Sequence, residues 1–395
     1  MNIRKLITSI SQYLVGVLFV FSGLIKANDP KGFAIKLEEY FQIFKLDLPD
    51  LSKFFEVLAL NAEPMSIALV VFEMVLGVCL ILGVFRRFTV WSLLLMILFF
   101  TFLTFYSAQF NKVTDCGCFG DAIKLRPWQS FNKDIFLLFF IVILFINWKY
   151  IQRPFMSRIT GRRLVVGFGV MFLLFTLFNY MYLPVVDFRP YKPGNDIYKL
   201  SMVPEGYPTD SFKMSFIYKK LSTDSTEREF TPEEIQKVDT SVLNQYRFVR
   251  RNQTLIKAGY KPPIQGFVLS DSSRQTVTDS FWGQTGYRLI FIYANLKDNK
   301  ISVQPEINSL ISNLKKDKKI RLWAFTSSSQ PLAQAFAKEN NFTLPFFTLD
   351  EVPVKTMIRS NPGVMLLKNN VVVQYWSALR IPTKEKLDDY ITEAK

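Results

Sequence analysis

Phe88–Phe110 reads FTVWSLLLMILFFTFLTFYSAQF, an uncharged run that ends just before Thr114-Asp115-Cys116-Gly117-Cys118-Phe119-Gly120-Asp121. About 20 mostly apolar residues suffice to cross a bilayer as a helix, so the first stretch is expected to be a membrane span. The second is then a loop at the membrane surface, and it carries two of the chain's 3 cysteines. Two thiols separated by one glycine can close a small, strained disulfide, because glycine tolerates the backbone angles that the ring demands. Strain makes such a bond easier to reduce, which suits redox traffic. An exposed pair of thiols without turnover is the plainer alternative.

Working outward, four further runs reach a similar length: Leu6–Ile25, Met65–Val84, roughly 131–148 and Leu164–Val186. The first begins like a signal peptide, but Lys26-Ala27-Asn28-Asp29-Pro30 offers no small-residue cleavage site, so an uncleaved anchor is expected. Arg4/Lys5, Arg86/Arg87 and the Lys149, Arg153, Arg158, Arg162, Arg163 cluster fall on one side if all five runs cross. Positive loops stay in the cytoplasm. This predicts a bacterial inner-membrane protein with its N-terminus inside, while loops 26–64 and 111–133 and everything after Val186 face the oxidising periplasm. Cys79 lies about 20 Å below the outer end of its span, too deep to join the other two, and reads as a small apolar core residue.

The totals narrow the function classes. Hydrophobic residues make up 49% of the 395, with 39 Phe, concentrated in the first half. Histidine is absent, which removes histidine acid–base catalysis and most zinc sites; with 3 cysteines no four-thiolate metal site forms in one chain either. The net charge of +15 comes without a basic-aromatic nucleic-acid motif. A solvated basic surface facing anionic lipid or an acidic partner is the better account.

Two features of the membrane half stand out. In loop 31–64, Phe33, Leu37, Tyr40, Phe41 and Phe44 recur at helical spacing, and Phe54, Phe55 and Leu58 repeat the theme; these helices could lie flat in the interface or roof the bundle above the cysteines. Glu73 stands inside the second span, where an ionisable group normally faces the bundle interior with a partner. Lys26 could snorkel towards it, with Ser22 a turn deeper. Proton handling during thiol or quinone chemistry is one reading of Glu73, and a structural ion pair or a neutral carboxyl is the other.

These residues carry a resemblance. Phe21-Ser22-Gly23-Leu24-Ile25-Lys26-Ala27-Asn28-Asp29-Pro30 resembles the first-helix signature of the DoxX / MauE group of bacterial membrane proteins, and Phe72-Glu73-Met74-Val75-Leu76-Gly77 its second-helix pattern. Asp115-Cys116-Gly117-Cys118-Phe119-Gly120-Asp121, with Leu125-Arg126-Pro127-Trp128 and Phe131-Asn132-Lys133-Asp134, resembles the MauE branch. The resemblance implies a four-helix membrane bundle over residues 1–150 linked to thiol-disulfide chemistry. MauE-like proteins are associated with disulfide formation in periplasmic partners during methylamine utilisation, and DoxX-like ones with quinone-linked sulfur oxidation. Membrane enzymes of comparable architecture use two cysteine pairs, and this chain offers one; a homodimer could supply the second.

The rest of the chain is expected to comprise a basic loop and fifth transmembrane helix (151–186), a linker with a small β element (187–261) and an α/β region (262–395). Pro184 through Pro193 reads as an extended linker, and Phe212, Met214, Phe216 and Tyr218 alternate as a half-buried strand. Strands are expected at Phe267–Leu269, Tyr287–Tyr293 and Ile320–Thr326, and in a hairpin of Val364–Lys368 with Val371–Trp376 around Asn369-Asn370. Helices are expected near Pro305–Lys315, Pro331–Asn340 and Thr383–Glu393. This order resembles the thioredoxin fold, and Asn361-Pro362-Gly363 stands where that fold places a cis-proline beside its substrate groove, so the Asn361–Pro362 bond is expected to be cis. The stretch Arg359-Ser360-Asn361-Pro362-Gly363, with Asp187-Phe188-Arg189-Pro190-Tyr191, resembles longer DoxX-like proteins of the Bacteroidetes. Ala294-Asn295-Leu296-Lys297 occupies the place of the thioredoxin cysteines, and without a thiolate that region cannot exchange disulfides.

The expected function is thiol-disulfide exchange by Cys116 and Cys118 at the periplasmic face, serving a periplasmic thiol protein held by the thioredoxin-like region. Asp115, Asp121, Arg126 and Trp128 are the supporting candidates beside them, with Glu73, Lys26 and Ser22. Lys124, Arg126 and Lys133 could lower a thiol pKa. A quinone could re-oxidise the pair, with Trp128, Phe119 and Phe131 as stacking surfaces or else as an interfacial belt. The alternative is a non-enzymatic membrane scaffold whose outer region binds an envelope partner.

Overall fold

The computed structural model describes residues 3–110, 112–113, 117, 119–153, 157–208, 211–220, 227–237, 245–257, 259–316 and 319–393. It groups Met1–Asn195 with Val268–Lys395 as one compact unit and sets Asp196–Phe267 apart as a second.

The first unit opens with seven helices: α1 (Ile3–Asn28), α2 (Pro30–Asp47), α3 (Ser52–Leu60), α4 (Ala62–Ile81), α5 (Arg86–Phe110), α6 (Pro127–Ile146) and α7 (Arg158–Tyr182). Among the described residues, α1, α4, α5, α6 and α7 are the helices long and apolar enough to cross a membrane. Val15 and Phe19 of α1, Leu76 and Leu80 of α4, Leu93 and Ile97 of α5, and Leu137, Ile141 and Leu144 of α6 share one core. Helix α1 meets α4 where two glycines face each other: a Cβ on Gly77 would stand 2.8 Å from the Gly16 carbonyl oxygen. Small residues let helix backbones approach this closely where lipid gives no hydrophobic drive to associate. Helix α7 packs against α4 and ends four residues before the Val186 expected from hydropathy, because Leu183 turns the chain with φ of 99°.

The structure decides between the two readings of loop 31–64. Phe33, Leu37, Tyr40, Phe41 and Phe44 of α2 are buried in a core with Met74 of α4, Leu103 of α5 and Phe172 of α7, so α2 is part of the bundle. On α3 only Ala59 is buried, and Phe54, Val57 and Leu60 face outward. Cys79 is a buried free thiol in the α2 core.

Residues 184–193 contain no helix or strand, and within them 189–191 are buried. Arg189 and Tyr191 are each 1% exposed. The Arg189 guanidinium donates to both carboxylate oxygens of Asp187 at 2.8 and 2.9 Å, lies over the Tyr375 ring and reaches the Met357 carbonyl at 3.3 Å. Burial favours a neutral Asp187, but hydrogen bonds and charge from Arg189 outweigh it and hold the carboxyl below its usual range.

The second unit comprises α8 (Ile197–Ser201), β1 (Ser211–Lys220), β2 (Glu227–Phe230), α9 (Pro232–Lys237) and β3 (Tyr246–Lys257). Its three strands form an antiparallel sheet in the order β2-β1-β3. The alternation of Phe212, Met214, Phe216 and Tyr218 falls within β1, whereas in β3 polar and apolar residues do not alternate cleanly.

The chain then returns to the first unit through α10 (Thr278–Trp282), β4 (Tyr287–Tyr293), α11 (Gln304–Leu314), β5 (Ile320–Thr326), α12 (Gln330–Glu339), β6 (Phe346–Thr348), α13 (Glu351–Met357), β7 (Gly363–Lys368), β8 (Val371–Ser377) and α14 (Lys384–Glu393). The sheet order is β6-β5-β4-β7-β8, with β4 parallel to β5 and antiparallel to β7. Leu289, Phe291 and Tyr293 of β4 pack on α11, α12 and α14, while Ile290 and Ile292 are equally buried on the opposite face. Burial on both faces explains why β4 reads as a continuous apolar run. This is a thioredoxin-like α/β region, so the chain has the multi-domain architecture expected from its sequence. The hairpin turn falls at Asn369-Asn370, with Asn369 at φ of 54°. Phe267–Leu269 is not a strand: Ser270 makes a single bridge to Thr348 at the β6 edge, exchanging two hydrogen bonds at 2.9 and 2.8 Å.

Candidate functional site

The site is built where α1 gives way to α2. Asp29 caps α2, accepting from the Gly32 N–H at 2.9 Å, and Pro30 opens the helix. A short acidic cap followed by proline is a favourable helix start, since neither spends a buried donor. The Asp29 carboxylate also faces Arg359, whose Nε lies 3.1 Å from Oδ1 and 2.9 Å from Oδ2. The same guanidinium donates through Nη2 to Asp121 Oδ2 at 3.1 Å and through Nη1 to the Lys355 carbonyl. Arg359 is 8% exposed. One cation thus ties the start of α2 and the segment after the cysteines to the thioredoxin-like region. Nearby, Lys355 of α13 donates to Glu38 of α2 at 3.1 Å, and Asn28 makes two hydrogen bonds with the Val186 backbone.

Arg359 leads directly into the cis Asn361–Pro362 bond. Asn361 donates from Nδ2 to the Asn295 carbonyl at 2.6 Å and accepts from the Asn295 N–H at 3.4 Å. The Ser360 hydroxyl donates to the Pro362 carbonyl and accepts from the Ala378 N–H. The end of the region at which thioredoxins carry thiols is therefore knitted by amides here. Gly363 follows as the first residue of β7.

Asp115, Cys116 and Cys118 lie outside the described residues. Gly117, between the two cysteines in the chain, has φ of 70°, a conformation open to glycine and costly for other residues. It lies against Lys36 of α2, whose Cγ would stand 3.1 Å from a Cβ placed there. The Lys36 ammonium pairs with Glu39 at 2.9 Å. Phe119 packs against Phe21 of α1, with the Lys133 ammonium 5.3 Å from its ring centre. Trp128 is half exposed and meets Phe131, which meets Phe105 of α5. The three aromatics singled out in the sequence thus serve two separate contacts. Arg126 precedes α6, and its backbone N–H donates to Gln129 Oε1 at 2.9 Å. Lys133 is paired with buried Asp134 at 2.6 Å, and Asp134 accepts from Thr104 at 2.9 Å.

Beneath α2, Lys26 Nζ lies 2.7 Å from Glu73 Oε2, with the two side chains 3% and 4% exposed. The ammonium also stands over the rings of Phe33 and Phe100, 5.3 and 4.6 Å from their centres. Carboxylate and aromatic faces together compensate a cation far from water. Ser22 is buried on the same face of α1.

Sequence reasoning missed Asp29, Arg359 and Lys36 as site residues. Asp29-Pro30 is a legible helix start, but nothing local reveals that its carboxylate meets a guanidinium 330 positions away.

Residues 4–147 match the family model of the methylamine utilisation protein MauE. Protein TlpB of Flavobacterium psychrophilum is 29% identical over 137 residues, 33% of this chain and 34% of TlpB, so the chain matches about a third of that relative's length. A thiol-disulfide oxidoreductase of Bacteroides fragilis is similar at 15% identity over 33% of this chain and 96% of its own, with a TM-score of 0.27. Peroxiredoxin Q of Xanthomonas campestris is similar at 14% identity over 32% of this chain and 88% of its own, with a TM-score of 0.24. The chain is a membrane protein with a MauE-like helical region and a thioredoxin-like region.

Proposed function

We propose that the chain is a thiol-disulfide protein of the bacterial inner membrane, in which Cys116 and Cys118 exchange with a thiol partner on the periplasmic side. The observation that carries this reading is the Arg359–Asp121 contact. It joins the segment that follows the cysteines in the chain to the Arg359–Gly363 stretch, the place at which a partner would be held. A partner thiolate would attack one sulfur of a Cys116–Cys118 disulfide, forming a mixed disulfide and releasing the other sulfur as thiolate. A second partner thiolate would then displace the first cysteine. Two electrons pass to the pair, and the disulfide passes to the partner.

Lys36 lies against Gly117 through its Cβ and Cγ, and its ammonium is paired with Glu39. Glu73 of α4 and Lys26 near the end of α1 form a closed, buried ion pair, which supports the structural reading of Glu73. The cavity beside them, lined by Phe33, Lys36, Tyr40 and Phe100, holds about 10 Å³, room for one water. A quinone that re-oxidises the pair would meet Trp128, half exposed against Phe131.

Thiol trapping in intact cells tests the reading. In the Cys116→Ala and Cys118→Ala single variants the remaining thiolate can attack the disulfide of the oxidised partner but has no second cysteine to release it, so each should accumulate a mixed disulfide with a periplasmic protein, and the wild-type pair should alternate between two states. Cysteines that remain in one state, with neither variant trapping a partner, would reject it. The amides at Asn295 and Asn361, in place of thiols, favour a second reading as a non-enzymatic scaffold. On that reading the Cys116→Ala/Cys118→Ala double variant keeps its cellular role.

A further inference from the structure

We propose that the opposite end of the bundle holds the phosphate headgroup of an anionic phospholipid. Where α5 and α7 begin, a cavity of about 450 Å³ is lined by Arg86, Arg87, Arg153, Arg158 and Arg162. The described lining includes no carboxylate. Membrane topology asks only that basic residues lie on one side; it does not ask five of them, from the starts of α5 and α7 and the loop before α7, to converge on one hollow. Like charges gathered in this way repel one another and call for a counter-anion.

Two of the arginines are already oriented. Arg153 donates from Nε to the Gly83 carbonyl at 3.2 Å, and Arg162 lies over the Phe85 ring at 5.2 Å. Among the described residues Arg86 reaches the Lys149 carbonyl, at 3.5 Å through Nη1, and its buried Nε has no hydrogen-bond partner. A buried donor left without an acceptor costs about 1–3 kcal/mol, so an incoming oxygen is favoured at this atom. Planar guanidinium forks match the oxygens of a phosphate. The partial positive charge at the starts of α5 and α7 acts in the same direction. The remaining walls include Phe88 and Trp148, and Phe88 is 60% exposed. An apolar rim beside a cationic floor at the end of membrane helices fits a lipid headgroup with its acyl chains alongside, rather than a free anion.

Native mass spectrometry of the full chain in detergent tests this, with phosphatidylglycerol, phosphatidylcholine and inorganic phosphate as probes. Phosphatidylglycerol should be retained in preference to phosphatidylcholine. At about 1 kcal/mol per basic residue, the exposed-site single variants Arg153→Gln and Arg162→Gln should each weaken that retention about five-fold and the double variant roughly thirty-fold. Lys5→Gln, which removes the same charge away from the cavity, should leave retention unchanged. Equal retention of the two lipids, an unaltered preference in the arginine variants, or displacement of phosphatidylglycerol by an equal concentration of inorganic phosphate would each overturn the proposal. The single variants, checked for helix content by circular dichroism, keep the test decisive if the double variant does not fold.

Discussion

Arg359 and Asp121 are 238 positions apart in the chain and 3.1 Å apart in space. The guanidinium that makes this contact also holds Asp29, so two carboxylates of the helical region share one cation from the thioredoxin-like region. Planar donors in a fixed fork make such a three-way junction; a lysine ammonium offers no equivalent geometry.

Breaking the junction should therefore loosen the contact between the two regions. Arg359→Gln leaves Asp29 and Asp121 without their cation and should cost about 1–3 kcal/mol. In a double-mutant cycle with Asp121→Asn, thermal unfolding in detergent should show a coupling of about 0.5–3 kcal/mol. Additive effects of the two substitutions would mean that the contact contributes nothing in solution. Arg359→Lys should recover only part of the loss.

The Lys26–Glu73 pair predicts a different pattern. Removing one partner leaves an uncompensated charge inside the bundle, which costs about 3–5 kcal/mol, whereas replacing both by apolar residues is often neutral. Lys26→Met and Glu73→Met should each lower the melting temperature sharply, and the double variant should recover most of it. Glu73→Gln should leave thiol exchange close to normal in whatever fraction remains folded. A large drop in exchange with stability unchanged would instead assign Glu73 to proton handling.

The glycine contact between α1 and α4 makes a steric prediction. A Cβ at Gly77 would stand 2.8 Å from the Gly16 carbonyl oxygen and 3.0 Å from the Val20 nitrogen, both backbone atoms that cannot swing aside. Gly77→Ala should cost about 1–3 kcal/mol through overpacking. Gly167→Ala on α7 meets nothing within 4 Å and should be neutral or stabilising by up to about 1 kcal/mol.

Asp187 sets a pH dependence. Its carboxyl is held below the ordinary 3.8 because the hydrogen bonds and charge of Arg189 exceed the opposing effect of burial. A depressed acid contributes stability that is fully present above the unfolded value and is lost as pH falls through the folded one. Unfolding followed from pH 6 to pH 2.5 should show wild-type stability falling below about pH 3.8, and Asp187→Asn should be less stable at pH 6 with a flatter acid limb. Parallel curves for the two proteins would exclude the pair as a source of stability.

Legibility followed the range of the interaction. Membrane helices, the β4 and β5 strands and the Asn369-Asn370 hairpin are written in local periodicity and turn chemistry, and each appears within a few residues of its expected place. The α2 helix was legible, but its environment was not, because the same apolar stripe would bury equally well in lipid or in a bundle. The prolines of Pro184–Pro193 show an extended stretch, but not that Arg189 within it is buried against Tyr375 and Met357.

The order of residues by itself determined a helical membrane region, a cysteine pair beside it and a thioredoxin-like region without thiols, because apolar length, residue identity and strand periodicity are local properties. Tertiary structure alone decided that Arg359 would bind Asp29 and Asp121, that Lys26 would lie buried between Glu73 and two phenyl rings, and that five arginines would line one cavity. Each of these depends on where distant segments meet, and charge pairing across hundreds of residues leaves no periodic trace in a single chain.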